Sequence, residues 1–386
     1  MGIMAAEAST VAGESGRMVR DGARGFVSAH HSMKRVRQVR TAEAGYSREV
    51  WTALAEAGWL GLRIPESLGG AGMGMAEVAA LCDVFGEVLL PEPYIACGLI
   101  PCALLAGCAN APLRERLMHG VINGQQVLTV AWQEAPFHFH AGQCELTLSG
   151  EAESLRLHGG KRFVPAAVNA DGYIVSVMHA GRFALVHVPA SESASGITLH
   201  AHRLIDGSVC ADLGFSDVKI SASDILAEGE AARELIESAV GEATLAACAM
   251  LNAVADRALA IAVDYMGKRV QFGKHIGSFQ ALQHRAVDLA VRCALARAAL
   301  NRALEEHAAG STRAAADLSA AKAICSRTAT LVTRSAIQLH GGIGYTDECD
   351  IGLYLKSALC HAAWLGGANA HGTRYMALRS AVEQPA

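Results

Sequence analysis

Apolar positions along the chain change their spacing twice. From about residue 21 to 120 they recur at steps of three and four, the period of an α-helix. In SREVWTALAEAGWLGLRIP, Val50, Trp51, Leu54 and Ala55 share one helical face. Ser47 stands where an N-cap belongs, and Gly58 and Pro65 stop the run. MAEVAALCDVFGEVLL predicts another helix, closed by PEP at 91–93. From about 126 the spacing becomes that of strands. QVLTVAWQ, ELTLSG, SLRLHG, YIVSVMH and RFALVHVP are short, rich in Val, Leu and Ile, and separated by Gly, Pro, Asn and Asp. Tyr173–Val177 and Phe183–Val188, joined through HAGR, predict a hairpin, and the strands end near 222.

From about 226 to 380 the pattern is helical again. Ile276, Phe279, Leu282, Ala286, Leu289, Cys293, Ala296, Leu300 and Ala303 form one stripe, with His284, Arg285, Asp288, Arg292 and Glu305 on the other side. Breaks at 267–278, 309–312 and 341–349 leave four helices with short links, which predicts a bundle. The first, about 229–266, is roughly 55 Å long and long enough to reach another subunit. Strands gathered in one block between helical blocks give an α+β chain rather than alternating βαβ units. The expected organisation is an N-terminal helical domain (1–125), a middle antiparallel β domain (126–225) and a C-terminal four-helix bundle (226–386).

The 386 residues suffice for two or three such domains, and 52% apolar residues supply a large core. Charged residues are 18% and the net charge is −4, which gives no basic surplus for nucleic acid and no acidic tail. The eleven cysteines include no C-x-x-C pair, so reduced thiols in a cytoplasmic protein are expected, without a zinc site or disulfide framework. No signal peptide is visible. The uncharged run 94–113 is interrupted by Pro101, Asn110 and Pro112, and reads as a buried helix rather than a membrane span.

Several motifs carry little chemistry. GGAGMG at 69–74 lacks the G-x-G-x-x-G spacing and a preceding strand, and reads as a tight loop. HFH at 138–140 marks no third metal ligand, so no metal is expected. No G-x-S-x-G elbow occurs.

The corner YMGKRVQFGKHIGSFQALQHR, 265–285, is richer. Arg269 ends a long helix, and a guanidinium can hold a diphosphate through parallel hydrogen bonds. Phe272 offers a flat ring, and Gln280 and Gln283 offer amides. A second corner, AIQLHGGIGYTDECD at 336–350, sets Gln338 before Gly341, Gly342 and Gly344, where a ligand can approach bare backbone. Two such corners, at opposite ends of a helical pair, can clamp one extended nucleotide.

With these residues in hand, the sequence resembles the acyl-CoA dehydrogenase family over nearly its whole length. WTALAEAGWLGLRIPESLGGAGM looks like the family's N-terminal run, GKRFVPAAVNADGYIVSV (160–177) its β-domain run, and RVQFGKHIGSFQALQ and QLHGGIGYTDE its two C-terminal signatures. The resemblance implies FAD, a homodimer or tetramer, and α,β-dehydrogenation of an acyl-CoA thioester. It places Arg269, Phe272 and Gln280 on the diphosphate and adenosine part of FAD. Gln338, Gly341 and Gly342 would meet the diphosphate from across a subunit interface. In such chemistry a carboxylate takes the proton α to the thioester while hydride leaves the β-carbon for the flavin.

Two family features are missing. The usual base is a Glu whose position here is Leu365, in WLGG. The alternative position, in the first bundle helix, is Ala243, with Glu242 adjacent but rotated by about 100°. Glu242 is therefore the candidate catalytic carboxylate. The family's flavin cradle TEPxAGSD aligns with LTVAWQEAPFHFHAGQ, leaving Thr129, Glu134 and Ala135 as remnants. Residues reaching a neighbour's FAD are kept and the base is lost. This favours a subunit that completes the FAD site of a base-carrying paralogue in a heterotetramer. The alternatives are a self-sufficient homomeric dehydrogenase with a displaced base, and a helical interaction protein that has lost FAD.

Overall fold

A computed structural model describes residues 13–136, 139–150, 154–190 and 196–383. The helices of the first third are α1 (Glu14–His30), α2 (Met33–Val39), α3 (Arg48–Glu56), α4 (Met75–Val88), α5 (Ile100–Ala106) and α6 (Ala111–Ile122). Helix α3 starts as its sequence dictates: the Ser47 hydroxyl accepts from the Val50 amide, and Val50, Trp51, Leu54 and Ala55 are its buried residues. The uncharged run at 94 begins with a fully buried π-helical segment, Tyr94–Leu99, that leads into α5.

The strands are β1 (Leu128–Ala131), β2 (Thr147–Ser149), β3 (Leu155–Pro165), β4 (Gly172–His179), β5 (Arg182–Pro189), β6 (Ile197–Arg203), β7 (Val209–Ile220) and β8 (Ile225–Glu228). They form one sheet in the order β6-β7-β3-β2-β4-β5-β8, with β1 also on β4. The predicted hairpin is β4–β5, and its turn places Ala180 and Gly181 at positive φ, as a two-residue hairpin requires. Most pairings are antiparallel, but β1 and β2 both run parallel to β4. The two occupy successive stretches of the same edge of β4, opposite Gly172–Val175 and Met178–His179. Residues 132–146 are thus an excursion from an interrupted edge. Period-2 alternation sets which face is buried but not which strand is the neighbour, so this mixed character was not expected.

The remaining elements are α7 (Glu230–Lys268), β9 (Val270–Gln271), β10 (Lys274–His275), α8 (Gln280–Ala308), α9 (Ala314–His340), α10 (Ile351–Ala363) and α11 (Ala368–Glu383). Helix α9 packs against α8, α10 and α11. The buried face of α8 follows the expected stripe, with Ala286, Leu289, Cys293, Ala296, Leu300 and Ala303, and adds a cation, Arg297. Where a single last helix was expected there are two, because Leu365 and Gly366 take positive φ and end the run. Helix α7 meets the length and hydropathy of a membrane span, but 67% of its apolar window is buried in protein. By its contacts the chain divides into two compact units. One comprises 1–36, 74–90 and 244–386; the other comprises 37–73 and 91–243. All eleven cysteines are unpaired.

Candidate cofactor corners and base positions

After α7 the chain makes a tight hairpin, β9–β10, whose two central residues are Phe272 (φ 53°) and Gly273 (φ 76°). Both are left-handed, the geometry that best joins twisted strands. Glycine adopts it freely, whereas phenylalanine is strained there. The result is a ring held in the open: Phe272 is 90% exposed and stands edge-on to Phe279, 6.2 Å away. Lys274 Nζ lies 4.3 Å over the Phe279 ring. Arg269 anchors the hairpin base, since its carbonyl accepts from the Ile276 amide, and its side chain is exposed. Gln280 opens α8 and is exposed. Gln283 donates its amide to the Gly277 carbonyl at 2.9 Å. That bond ties the loop and uses one of the amide's two N–H groups.

The second corner follows α9. Gln338 is exposed in the last helical turn, Gly341 has φ 66°, and a 3-10 segment covers Gly341–Tyr345. A side chain at Gly341 or Gly342 would meet no atom within 4 Å, so the backbone there borders open space. The Tyr265 ring, in the last turns of α7, stacks on His340 at 4.5 Å with a 22° tilt. His340 Nδ1 is 2.7 Å from the Ala336 carbonyl, which fixes the ring. The corners therefore share one end of the bundle rather than lying at opposite ends of a pair, because α8 and α9 are antiparallel. Together they expose a guanidinium, two carboxamides, bare glycine backbone and a flat ring. That donor set fits the anionic, aromatic half of a dinucleotide such as FAD.

The two positions at which the resemblance implies a base differ in character. Leu365 is 5% exposed and has φ 59°, in the turn between α10 and α11. Its carbonyl accepts from Nε2 of His371, which is itself buried, at 2.9 Å. Lys322 Nζ, fully buried, donates to the His361 and Ala362 carbonyls at 2.9 and 3.2 Å and caps the end of α10. This turn is thus rigidly seated around an apolar side chain. Ala243 is fully buried, and Glu242 is 7% exposed with its Oε1 2.8 Å from Arg63 Nη2.

The His371 environment carries a pH prediction. Burial lowers its pKa to about 4; the hydrogen bond to the Leu365 carbonyl opposes this, and the charges of Lys322 and Arg374 add smaller downward contributions. A histidine whose folded pKa lies below its unfolded value binds its proton better when unfolded. Stability therefore falls as pH drops from about 6.5 towards 4, by up to about 3 kcal/mol from this group. Urea midpoints measured at pH 7 and pH 5, for the native chain and for His371→Gln, check it. The pH dependence should be smaller in the variant.

The cradle remnants serve the sheet. Thr129 Oγ1 donates to the Pro165 carbonyl at 2.8 Å. The Glu134 carboxylate accepts from the Glu145 and Leu146 amides at 2.7 and 3.0 Å and from Lys161 Nζ at 2.6 Å, closing the 132–146 excursion. The Ala135 carbonyl accepts from Gln133 Nε2. His138 of the HFH motif lies outside the described residues. Among the described residues no three His, Cys, Asp or Glu side chains gather as metal ligands.

One feature that the sequence pattern did not single out is Phe163. It sits at a register shift of β3 with φ 53°, is 40% exposed, and its amide donates to Asp212 at 3.0 Å. A strained, exposed aromatic at a bulge is typical of a functional position. A groove of about 520 Å³ is lined by residues of β3, β6 and β7, among them Gly159, Gly160, Arg162 and His200, and by Glu134, Glu145 and Leu146.

Comparison with known proteins places this geometry. Residues 13–125 match the family profile "Acyl-CoA dehydrogenase, N-terminal domain", and 220–378 match "Acyl-CoA dehydrogenase, C-terminal domain". "Acyl-CoA dehydrogenase IpdE2" of Mycobacterium tuberculosis is 31% identical over 348 residues, 89% of this chain and 91% of that protein. Its namesake in Mycolicibacterium smegmatis is 29% identical over 92% of this chain and 95% of its own length. Among solved structures, the ChsE4-ChsE5 complex of Mycobacterium tuberculosis superposes with a TM-score of 0.87 and 25% identity, over 98% of this chain and 100% of that one. Together, the two profile matches and the near full-length relatives show that the chain belongs to the acyl-CoA dehydrogenase family.

Proposed function

We propose that this chain is the non-base-carrying subunit of a heteromeric FAD-dependent acyl-CoA dehydrogenase, whose bundle corners complete a flavin site seated mainly on a partner polypeptide. The observation that carries this reading is the exposure of Arg269, Phe272, Gln280, Gln338, Gly341 and Gly342 at one end of the bundle, while an apolar Leu365 fills the base position. Arg269 would bind the diphosphate, Phe272 would offer its ring to the adenine side, and Gln280 would orient the adenosine. Gln338 and the Gly341 and Gly342 backbone would meet the diphosphate. Bound flavin supplies the hydride acceptor, and the partner's carboxylate supplies proton abstraction from the acyl-CoA.

Apolar side chains on the outer face of α8 suit such a contact: Val287, Val291 and Leu295 are each more than half exposed. The names of the relatives support a heteromer, since one matching structure is a ChsE4-ChsE5 complex. Another matching structure, a Tcur3481-Tcur3483 "steroid ACAD" variant, supports a steroid-derived acyl-CoA, and the unpaired cysteines suit a cytoplasmic setting. We keep 1–125, 126–225 and 226–386 as the functional domains. The competing reading, a homomeric enzyme using Glu242, has to meet the ion pair that Glu242 makes with Arg63.

Arg269 provides the test. Lysine keeps the charge but cannot form the paired hydrogen bonds of a guanidinium. In the assembled complex, Arg269→Lys should weaken FAD retention by about ten-fold or more, one to two charge-assisted bonds being lost. Flavin fluorescence released on dilution measures it. Unchanged retention would remove the diphosphate clamp from the account.

A further inference from the structure

The mechanism proposed above gives no task to Glu242, one of the buried acidic side chains. Glu242 lies on α7 beside Ala243, the position that other family members use for a base, and it is 7% exposed. A carboxylate this dry would ordinarily hold its proton more tightly, which is what a proton acceptor needs. Arg63 sets the opposite condition. Its Nη2 donates to Glu242 Oε1 at 2.8 Å, and the guanidinium charge favours the ionised carboxylate.

Arg63 is delivered to this place by a rigid segment. Its neighbours Leu62 and Ile64 are 3% and 1% exposed. Backbone bonds tie the stretch to itself: Ala71 N to Gly61 O at 3.0 Å, Gly72 N to Ile64 O at 2.7 Å, and Met73 N to Leu62 O at 3.0 Å. Gly70 makes the fold-back feasible, since a Cβ there would lie 2.2 Å from the Ile64 carbonyl oxygen. The Arg63 Nε is buried and has no hydrogen-bond partner. The GGAGM loop, which carries no phosphate-binding spacing, thus has a use: it aims Arg63 at α7.

We propose that Arg63 is a charge lock on Glu242. It keeps the carboxylate ionised and weakly basic, so this chain does not abstract the α-proton of an acyl-CoA even though it carries a buried acid next to a family base position. Arg63 is therefore a positioning and charge-setting residue. Its loss should make Glu242 a better proton acceptor. The inference rests on the reading of this chain as the subunit that does not supply the base, and it concerns only residues of this chain.

Infrared difference spectroscopy of the full chain, labelled with 13C-carboxyl glutamate, reads the protonation of Glu242 directly, with Glu242→Gln identifying its band. The chain needs neither flavin nor partner for this measurement, so it separates the lock from the heteromer. The native chain should show Glu242 ionised at pH 6, and Arg63→Gln should raise its protonated fraction by at least about ten-fold. Arg63→Lys, which preserves the charge and guards against a folding defect in the glutamine variant, should leave Glu242 ionised. A protonated fraction that is the same in native, Gln and Lys forms would overturn the lock. So would a native chain in which Glu242 is already protonated at pH 6.

Discussion

Replacing Arg297 with methionine should lower the unfolding free energy by about 3–5 kcal/mol, the usual cost of removing one partner from a buried charge cluster. Arg297 is 7% exposed, on the face of α8 that otherwise carries Ala296, Leu300 and Cys293. Its Nη2 reaches Asp256 of α7 at 2.5 Å and Asp83 of α4 at 3.1 Å, and Asp83 also faces Arg20 of α1 at 3.7 Å. Three helices of one unit thus meet at this guanidinium, and α1 joins them through Arg20 and Asp83. Methionine matches its length and apolar character but leaves two carboxylates without their shared cation. The deficit is therefore electrostatic rather than a cavity. Adding Asp83→Asn and Asp256→Asn to the methionine variant should recover part of the loss, because it removes the stranded charges. Urea midpoints of the single and triple variants measure both effects. A single variant within about 1 kcal/mol of the native chain would show that the cluster is solvated in a way its burial does not suggest.

Lys161→Met should cost a similar amount and should also loosen a specific loop. Lys161 Nζ is fully buried, 2.6 Å from Glu134 Oε1 and 2.8 Å from Ser176 Oγ. Burial pushes its pKa below the ordinary lysine value, with Glu134 opposing. For Glu134, burial alone would raise the pKa. Lys161 and the Leu146 and Glu145 amides outweigh it, so the carboxyl sits below the usual range. Because the folded pKa of Glu134 is depressed, its contribution is present above the unfolded value and is lost as pH falls through the folded one.

The structural consequence follows from the two amides. Glu134 holds the far end of the 132–146 excursion, and Arg233 of α7 donates to the Gly142 carbonyl. Without the lysine, a lone carboxylate remains in a buried place, and the loop should exchange it for water. Hydrogen exchange of the Glu145 and Leu146 amides should accelerate by about ten-fold or more, while the amides of β4 and β5 remain protected. Equal acceleration across the sheet would mean that Lys161 supports the whole sheet rather than this loop. Glu134→Gln added to Lys161→Met should restore part of the stability, as in a coupled pair.

How much of this was legible in the sequence depends on the range of the interaction involved. Local chemistry reads directly. The Ser47 cap, the stripe from Ala286 to Ala303 and the Ala180–Gly181 turn each follow from residues within one or two helical turns or strand pairs. Interactions across sequence do not. Nothing in the apolar period reveals that β1 and β2 share an edge of β4, since alternation is blind to the neighbour's identity. Arg297 was hidden because a stripe of apolar residues says where a face is buried, not which polar group is buried with it.

The candidate site shows the same division. The two corners were visible as glycine-punctuated breaks, and the structure adds that Tyr265 and His340 stack at one bundle end. The bond from Gln283 to the Gly277 carbonyl has no sequence signal, because its acceptor is set in place only once the loop has folded. Arg63 and Glu242 are 179 residues apart, so no spacing argument could join them. The break at Leu365–Gly366 had a signal in the WLGG glycines, but a left-handed leucine has none. Phe163 was likewise unmarked, because bulges depend on the register of two strands at once.

The central claim is that this chain grips a flavin it does not hold by itself. Flavin content tests it most directly: the protein is purified alone and again after co-expression with a base-carrying paralogue, and absorbance at visible wavelengths is compared with the amount of each chain. The account predicts a colourless isolated chain and a yellow complex that contains both polypeptides. An isolated chain that retains one FAD per polypeptide and oxidises acyl-CoA on its own would contradict it.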